Sequence, residues 1–245
     1  MLKFSIITPS YNQGRFIRDT IESILNQDYP NYEHIIIDGG STDETIDILK
    51  EYPHLNWISE KDKGAAEAIN KGFKMASGDI VTWINSDDYY EKNILSKVNN
   101  YFFDDDKLDF LYGNRSVLLP NENKLLTEKS SLLCANDLIH MSADIVRQPC
   151  SFYRMSLLRK TGLLDDTLKL VFDYELFIRM FLLTTPFYVD DTLAIQRDYS
   201  TTLTRSNMRR QAIEIYKVSR KYGAKLLDPI MYTSVLKKIL FPEKY

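Results

Sequence analysis

Short apolar runs alternate with amphipathic segments through the first half of the chain. Residues 4–8 are apolar and rich in β-branched side chains, which predicts a buried strand, and Pro9 to Gly14 breaks it. Phe16, Ile17, Thr20, Ile21, Ile24 and Leu25 then recur at helical spacing. Residues 32–37 predict a second strand, ending at Asp38-Gly39-Gly40. Ser41 or Thr42 is placed to cap the next helix, with Glu44 in its first turn and Ile46 and Leu49 facing inward. A third strand over 55–59, an Ala-rich helix over 64–76 and a fourth strand over 80–84 follow, the last ending in Asn85-Ser86-Asp87-Asp88.

Strands that alternate with helices in this way imply a parallel sheet with right-handed crossovers. The polar residues fall just beyond each strand: Ser10-Tyr11-Asn12, Asp38, Glu60 to Asp62, and Asn85 to Asp88. In open α/β sheets, ligands bind outside the carboxyl ends of the strands, so these clusters already mark a site.

The second half is less regular. Residues 109–119 read as a strand bent at Gly113, and 120–129 as a polar loop. Residues 137–144 are weakly periodic. A short helix over 155–160 ends before Gly162, and a helix over 173–183 has its apolar face at Leu176, Phe177, Met180 and Phe181. Short strands are expected at 187–189 and 193–196, a long basic helix over 205–222 and a final helix over 229–240. No repeat or low-complexity linker divides the chain. The expected organisation is an α/β domain over 1–204, with a ligand-binding half (1–120) and a more variable half (121–204), and a basic helical extension over 205–245.

With 245 residues, 44% hydrophobic and 27% charged, the composition excludes disorder, collagen, coiled coil and a disulfide-dense miniprotein. The net charge of −3 argues against nucleic acid as a partner. The charge is uneven. Residues 205–245 carry +7 and the first 204 carry −10, so the tail is suited either to an anionic surface or to a solvated helix face. Cys134 and Cys150 form no CxxC, which fits a reducing compartment. No signal peptide or membrane-spanning run is evident, so the expectation is a cytoplasmic protein, peripheral at most.

Two adjacent carboxylates at a strand end, Asp87 and Asp88, need a cation or hydrogen-bond donors to offset their repulsion. Mg²⁺ and Mn²⁺ take one or two carboxylates plus phosphate oxygens, whereas the bland alternative is a turn capping a helix that starts near Glu91. Neither GxGxxG, GxxxxGK[ST], HExxH nor GxSxG occurs, and His34, His54 and His140 are scattered.

Taken together, Ser5-Ile6-Ile7-Thr8-Pro9-Ser10-Tyr11-Asn12, Asp38-Gly39-Gly40-Ser41-Thr42-Asp43, Glu60 to Gly64 with Ala68 to Gly72, Gly78-Asp79-Ile80 and Asn85-Ser86-Asp87-Asp88 resemble the family 2 glycosyltransferases in order and spacing. The resemblance continues more weakly through Gln148-Pro149, Tyr153-Arg154, Gly162 to Asp166 and Asp173-Tyr174-Glu175-Leu176 to Arg197. It implies a GT-A (Rossmann-like) α/β fold and inverting transfer of a sugar from a nucleotide diphosphate sugar to a glycan or lipid-linked acceptor in surface-polysaccharide assembly. Pro9 and Tyr11 would line the base and ribose, and Asp38 and Asp62 would hydrogen-bond the nucleoside. Asn85-Ser86-Asp87 occupies the family's DxD position. Asp87 would bind the divalent cation, Mn²⁺ or Mg²⁺, Asp88 would support that loop, and the Asn85 amide could accept a bond from ribose. The resemblance favours a uridine donor, and Gly39, which stands where many relatives have a second Asp facing the base, leaves thymidine and guanosine diphosphates open.

An acceptor hydroxyl needs a general base. The family takes it from a Glu-Asp pair at a helix start; here Phe172 stands in the Glu position and Asp173 aligns with the Asp. Asp173 is the expected base, with an N-cap role as its structural alternative, and Glu175 is the alternate base. Arg197-Asp198-Tyr199 resembles the family's Arg-x-His, with Tyr199 in place of the His and Arg197 either on phosphate or in an ion pair. Lys237-Lys238 before Ile239-Leu240-Phe241 would bring the tail to anionic lipid. Two other classes compete: a sugar nucleotidyltransferase, which would show a Gly-rich basic loop after the first strand, and a degenerate nucleotide-sugar-binding protein.

Overall fold

The computed structural model describes residues 1–119, 124–131, 133–141, 143, 146–199 and 203–240, with the backbone alone at 203 and 204. The first strand, β1 (Phe4–Ser10), is buried along its whole length. It pairs in parallel with β2 (Tyr32–Asp38) on one side and β4 (Ile80–Trp83) on the other, and β3 (Asn56–Ser59) extends the sheet beyond β2. The chain thus winds outward from β1 to β3 and returns to the opposite side of β1, creating a switch point between β1 and β4.

Helices α1 (Gly14–Leu25), α2 (Thr45–Lys50) and α3 (Ala65–Met75) make the crossovers. Successive residues of a strand face opposite sides of the sheet. Accordingly Ile7 packs with Phe73 and Trp83 in one core, and Phe4 and Ile6 pack with Val98 and Phe102 of α4 (Ile94–Asp104) in the other. The helix expected near Glu91 begins later, at Ile94, because Asn93 at its N-cap takes a left-handed conformation (φ 60°), and Tyr89–Tyr90 ahead of it form a short strand, β5. Neither Ser41 nor Thr42 caps α2, whose N-cap is Glu44; Ser41 instead bonds Asp38.

The second half completes the sheet in the order β3-β2-β1-β4-β8-β6-β9-β5. Here β6 is Phe110–Leu119, β8 is Ser151–Arg154 and β9 is Phe187–Arg197. Three sequence expectations change. The loop expected over 120–129 contains a strand, β7 (Lys124–Glu128), while 120–123 lie outside the described residues. β7 pairs antiparallel with the outer end of β6, and the Arg115–Glu128 ion pair and the Ser116–Thr127 hydroxyl contact add to that pairing. The two strands expected at 187–189 and 193–196 are one strand, β9, whose polar Asp190-Asp191 step is absorbed by a register shift opposite Tyr112 and Asn114. Gly113 permits that shift: a Cβ there would lie 2.7 Å from the Asp191 carbonyl oxygen.

The basic helix expected over 205–222 is divided into α8 (Leu203–Ser206) and α9 (Met208–Lys221). Between the sheet and α9, helices α5 (Ala135–His140), α6 (Met155–Thr161) and α7 (Phe172–Phe181) enclose the largest core. Ala212, Ile215 and Val218 of α9, together with Ile230, Met231 and Val235, belong to that same core, so the inner face of the extension is packed on the body. A π-helical segment, Met231–Leu236, runs into α10 (Lys237–Leu240).

Candidate functional site

At the switch point the chain opens a cleft of about 850 Å³. Pro9, Tyr11, Asp62, Asn85, Ser86, Asp87 and Asp88 line it from the first half, and Asp173, Arg197 and Tyr199 from the second. Of the residues expected from sequence, Asp38 and Glu175 are the two that stay outside it.

The loops after β1 and β2 are laced together. Asn12 adopts a left-handed conformation (φ 52°), donates its backbone N–H to Ser41 Oγ (2.7 Å) and accepts from the Thr42 N–H (2.8 Å). Asp38 is fully buried, and its carboxylate accepts from the N–H groups of Gly40 (3.0 Å) and Ser41 (2.9 Å) and from the Ser59 hydroxyl (2.6 Å). Its acceptor capacity goes to shaping this corner. Asp62 lines the cleft, where Oδ1 accepts the Gly64 N–H at 2.8 Å. Burial raises its pKa. A Cβ on Gly39 would lie 2.8 Å from Asp62 Oδ2 and 3.4 Å from the Tyr11 ring, so the missing side chain makes the floor between them. Tyr11 is 61% exposed, an aromatic face open to a ligand.

Asn85 to Asp88 are held by Thr20, which donates to the carbonyl oxygens of Ser86 (3.0 Å) and Asp88 (2.6 Å). Asp88 is 2% exposed, and its Oδ1 accepts the Arg197 N–H at 3.0 Å. Burial, with the neighbouring Asp87 charge, pushes its pKa well above the ordinary carboxylate range. Arg197 donates to the Asp87 carbonyl (2.7 Å), pairs with Asp19, and lies over the rings of Tyr89 (4.7 Å) and Phe16 (5.2 Å). Of the two roles left open for Arg197, the ion pair is the one the described contacts supply. Tyr199 donates its hydroxyl to Asp87 Oδ2 at 2.7 Å, and burial and Asp87 both raise the phenol's pKa.

Asp87 is therefore a carboxylate facing the cleft, and Asp88 a buried support behind it. Among the described residues no group of three or more His, Cys, Asp or Glu comes together. This donor set does not suit an ion held by protein alone. It does suit Mg²⁺ or Mn²⁺ that takes one carboxylate here and further oxygens from a bound diphosphate and water.

From the second half, Asp173 is the second residue of α7; the N-cap is Val171, which makes no side-chain capping bond, so Asp173 is not the N-cap. Asp173 lies half-buried in the cleft and accepts the Tyr174 N–H on Oδ1 at 2.8 Å. Asn70 of α3 fixes the turn ahead of α7 by two bonds to Leu164, donating to its carbonyl (2.9 Å) and accepting its N–H (3.0 Å). Glu175 points the other way. It is 2% exposed and accepts from Arg179 Nε (2.9 Å), Lys221 Nζ (2.9 Å) and Tyr222 Oη (2.6 Å). Burial alone would raise its pKa; those three donors outweigh burial and lower it.

Sequence reasoning missed the remaining wall. Arg115 and Arg147 both pair with Glu128, Gln148 donates to the Trp83 carbonyl (2.6 Å), and Lys169 and Gln211 also line the cleft. Apart from Gln148, which belongs to the Gln148-Pro149 motif but was given no role, no local pattern marks these positions, because strand pairing and helix docking across the fold bring them together. Lys238, read as part of a lipid-facing pair, is turned inward: it is 6% exposed, lines the cleft and donates to Gln211 Oε1 at 2.9 Å.

A four-stranded parallel unit with a nucleotide-sized cleft at its switch point, extended by a mixed sheet, defines a GT-A-type domain. The chain belongs to glycosyltransferase family 2, whose model, described as glycosyl transferase family 2, matches residues 5–162. A putative teichuronic acid biosynthesis glycosyltransferase, TuaG of Bacillus subtilis, is 43% identical over 99 residues, covering 38% of this chain and 39% of that protein. An uncharacterized glycosyltransferase of Rickettsia prowazekii is 33% identical over 187 residues, covering 71% and 57%. The chain thus spans roughly two to three fifths of the length of these curated relatives. Staphylococcus aureus TarS 1-349 in complex with UDP-GlcNAc superposes with a TM-score of 0.64 at 23% identity, over 86% of this chain and 66% of that one. A mannosyltransferase of Pyrobaculum calidifontis in complex with GDP-Man and Mn²⁺ gives 0.71 at 17% identity, over 98% and 71%. At these identities the two structures speak for the fold.

Proposed function

We propose that this chain is an inverting glycosyltransferase that moves a sugar from a nucleotide diphosphate sugar to a hydroxyl of a glycan or lipid-linked acceptor during cell-surface polysaccharide synthesis. The observation that carries the reading is that Asp87 and Asp173, contributed by opposite halves of the chain, line one cleft. In this reading Tyr11 and Asp62 hold the nucleoside over the gap left by Gly39, and Asn85 and Ser86 flank the ribose. Asp38 acts indirectly, by fixing the Gly40–Ser41 corner. Asp87 holds the divalent cation, Mn²⁺ or Mg²⁺, which offsets the charge of the departing diphosphate. Asp173 accepts the proton of the acceptor hydroxyl as that oxygen attacks the anomeric carbon from the side opposite the diphosphate. Glu175, already bonded to three donors, holds α7 in place.

The TarS complex with UDP-GlcNAc supports a uridine donor, and the GDP-Man complex keeps guanosine open. The TuaG likeness supports a surface polysaccharide as the destination. A panel of UDP, GDP, dTDP and CDP, each with Mn²⁺ or EDTA, read by thermal shift, tests the site. A ligand at 100 times its Kd should add about 2.7 kcal/mol. Stabilisation by one diphosphate, larger with Mn²⁺, is the expected result. None from any of them would overturn the reading.

The second reading, a nucleotide-sugar-binding protein without turnover, is favoured by Asn85, Phe172 and Tyr199 standing where relatives carry acids or His. Sugar transfer by wild type but not by Asp173→Asn would exclude it. No described helix is long and apolar enough to cross a membrane. The proposed place of action is the inner face of the cell membrane, reached through the exposed apolar and basic residues of the extension.

A further inference from the structure

Six cationic side chains line the cleft among the described residues, and they are not equally committed. Arg115 and Arg147 pair with Glu128, Arg197 with Asp19, and Arg205 with Asp198. Lys238 is buried against Gln211. Lys169 differs from the four arginines, each paired with a carboxylate, and from Lys238, which is buried where Lys169 is half-buried. Its ammonium donates to two backbone carbonyls, Lys63 (3.0 Å) and Asp166 (3.2 Å). Carbonyl oxygens orient an ammonium without cancelling its charge, and an ammonium has a third proton to give. The charge is therefore fixed in space and not neutralised.

Its place is equally specific. Lys169 precedes α7, yet its ammonium reaches the loop after β3, at the Lys63 carbonyl. Its backbone is fixed as well: Glu214 of α9, 8% exposed, accepts the N–H groups of both Lys169 (3.0 Å) and Leu170 (2.9 Å) on Oε2. One carboxylate of the extension thus holds a lysine that bridges the two halves of the cleft.

We infer that Lys169 is a donor-binding residue whose ammonium faces the diphosphate of the nucleotide sugar, and that Glu214 is the positioning residue that sets it there. The inference rests on the nucleotide-sugar reading. It also gives the extension a part in the donor site.

The test is calorimetric titration of the intact chain, with Mn²⁺ present, using UDP, GDP and dTDP and the matching nucleosides. Lys169→Met should weaken the bound diphosphate by about tenfold, the scale of one charge-assisted hydrogen bond, and leave the nucleoside unchanged. The salt dependence of diphosphate binding should flatten. Lys169→Arg should recover part of the loss. Glu214→Gln should cost a few-fold on the diphosphate, because the amide oxygen still accepts but carries no charge. Unfolding temperatures of all three variants separate these effects from misfolding. Diphosphate affinity unchanged in a folded Lys169→Met would overturn the inference while leaving the reading intact. Wild type that binds none of the three diphosphates would overturn the reading, and the inference with it.

Discussion

Along β1 to β4, each polar residue of the cleft lies within a few positions of the strand that presents it. Tyr11 follows β1, Asp62 follows β3 and Asn85 to Asp88 follow β4. On the β6–β9 side the corresponding wall is assembled over long distances in sequence. Arg115 and Arg147 meet at Glu128, Asp88 is held by Arg197, and Lys169 is held by Glu214. In the first region strand geometry delivers the chemistry, and in the second, ion pairs and buried hydrogen bonds do. Substitutions in the two regions should therefore fail differently: through ligand binding in the first, and through chemistry, stability or, at Lys169 and Glu214, the hold on the diphosphate in the second.

The largest effect should come from Asp173→Asn. Removing a general base typically costs 10²–10⁴ in rate. We expect kcat to fall about a thousandfold while the Kd for the nucleoside diphosphate stays at the wild-type value. Asp87→Ala should show the reverse emphasis, with Mn²⁺-dependent nucleotide affinity dropping by about ten- to a hundredfold and binding in EDTA unaltered. Equal loss of nucleotide binding in both variants would break the division between the two halves.

That division also sets what the sequence could disclose. The parallel strands, their helices and the polar clusters at the strand ends were legible because period and turn chemistry are local signals. The Asp62–Gly39–Tyr11 floor was partly legible, since glycine next to an aspartate marks close approach. β7 was not: its residues are largely exposed, and backbone pairing to β6 decides its state. The continuity of β9 through Asp190-Asp191 depends on Gly113, seventy-odd positions upstream. Lys238 reads as half of a lipid-facing pair until the packing of α9 and the π-helical turn places it inward. Sequence places both Asp173 and Glu175 at the head of a helix, and packing against Arg179, Lys221 and Tyr222 is what separates them.

Glu175→Ala probes stability rather than chemistry. Glu175 is buried while Arg179 and Lys221 keep contact with water, so its deletion should cost about 3 kcal/mol, the low end for breaking a buried ion pair. For a chain of this size that lowers Tm by about 10 °C, measurable by differential scanning calorimetry. The same carboxylate gives a pH signature. Its pKa in the folded state lies below the ordinary value, so its contribution is present above the ordinary carboxylate pKa and is lost as pH falls through the depressed one. Wild type should lose stability in that acidic window, and the variant should lose less.

Smaller still should be Gly39→Ala. The added Cβ meets Asp62 Oδ2 at 2.8 Å, so that carboxylate must shift. A few-fold weaker nucleoside affinity at nearly unchanged Tm would assign this floor to the base. An equal loss for a bare diphosphate would move it to the phosphates.

The last contrast lies within the extension. Its inner face is packed on the body, whereas its outer face leaves Leu226 71% and Leu227 95% exposed, with Tyr232, Leu236 and Leu240 outward on the helix that follows. Lys225 is exposed beside the leucines, and the Lys237 ammonium lies 5.2 Å from the Tyr232 ring centre. Apolar side chains ringed by lysines suit a shallow interfacial contact with anionic lipid, where each exposed leucine adds about 1–2 kcal/mol and each nearby lysine about 1 kcal/mol. Wild type should co-float with vesicles containing phosphatidylglycerol and not with pure phosphatidylcholine. Leu226→Ser with Leu227→Ser should reduce that binding several-fold without altering nucleotide affinity, since neither leucine lines the cleft. Equal flotation of wild type and the double variant would show that the charge alone holds the protein to lipid. No flotation on either vesicle would assign the exposed leucines to a protein contact and remove the membrane from the proposed place of action.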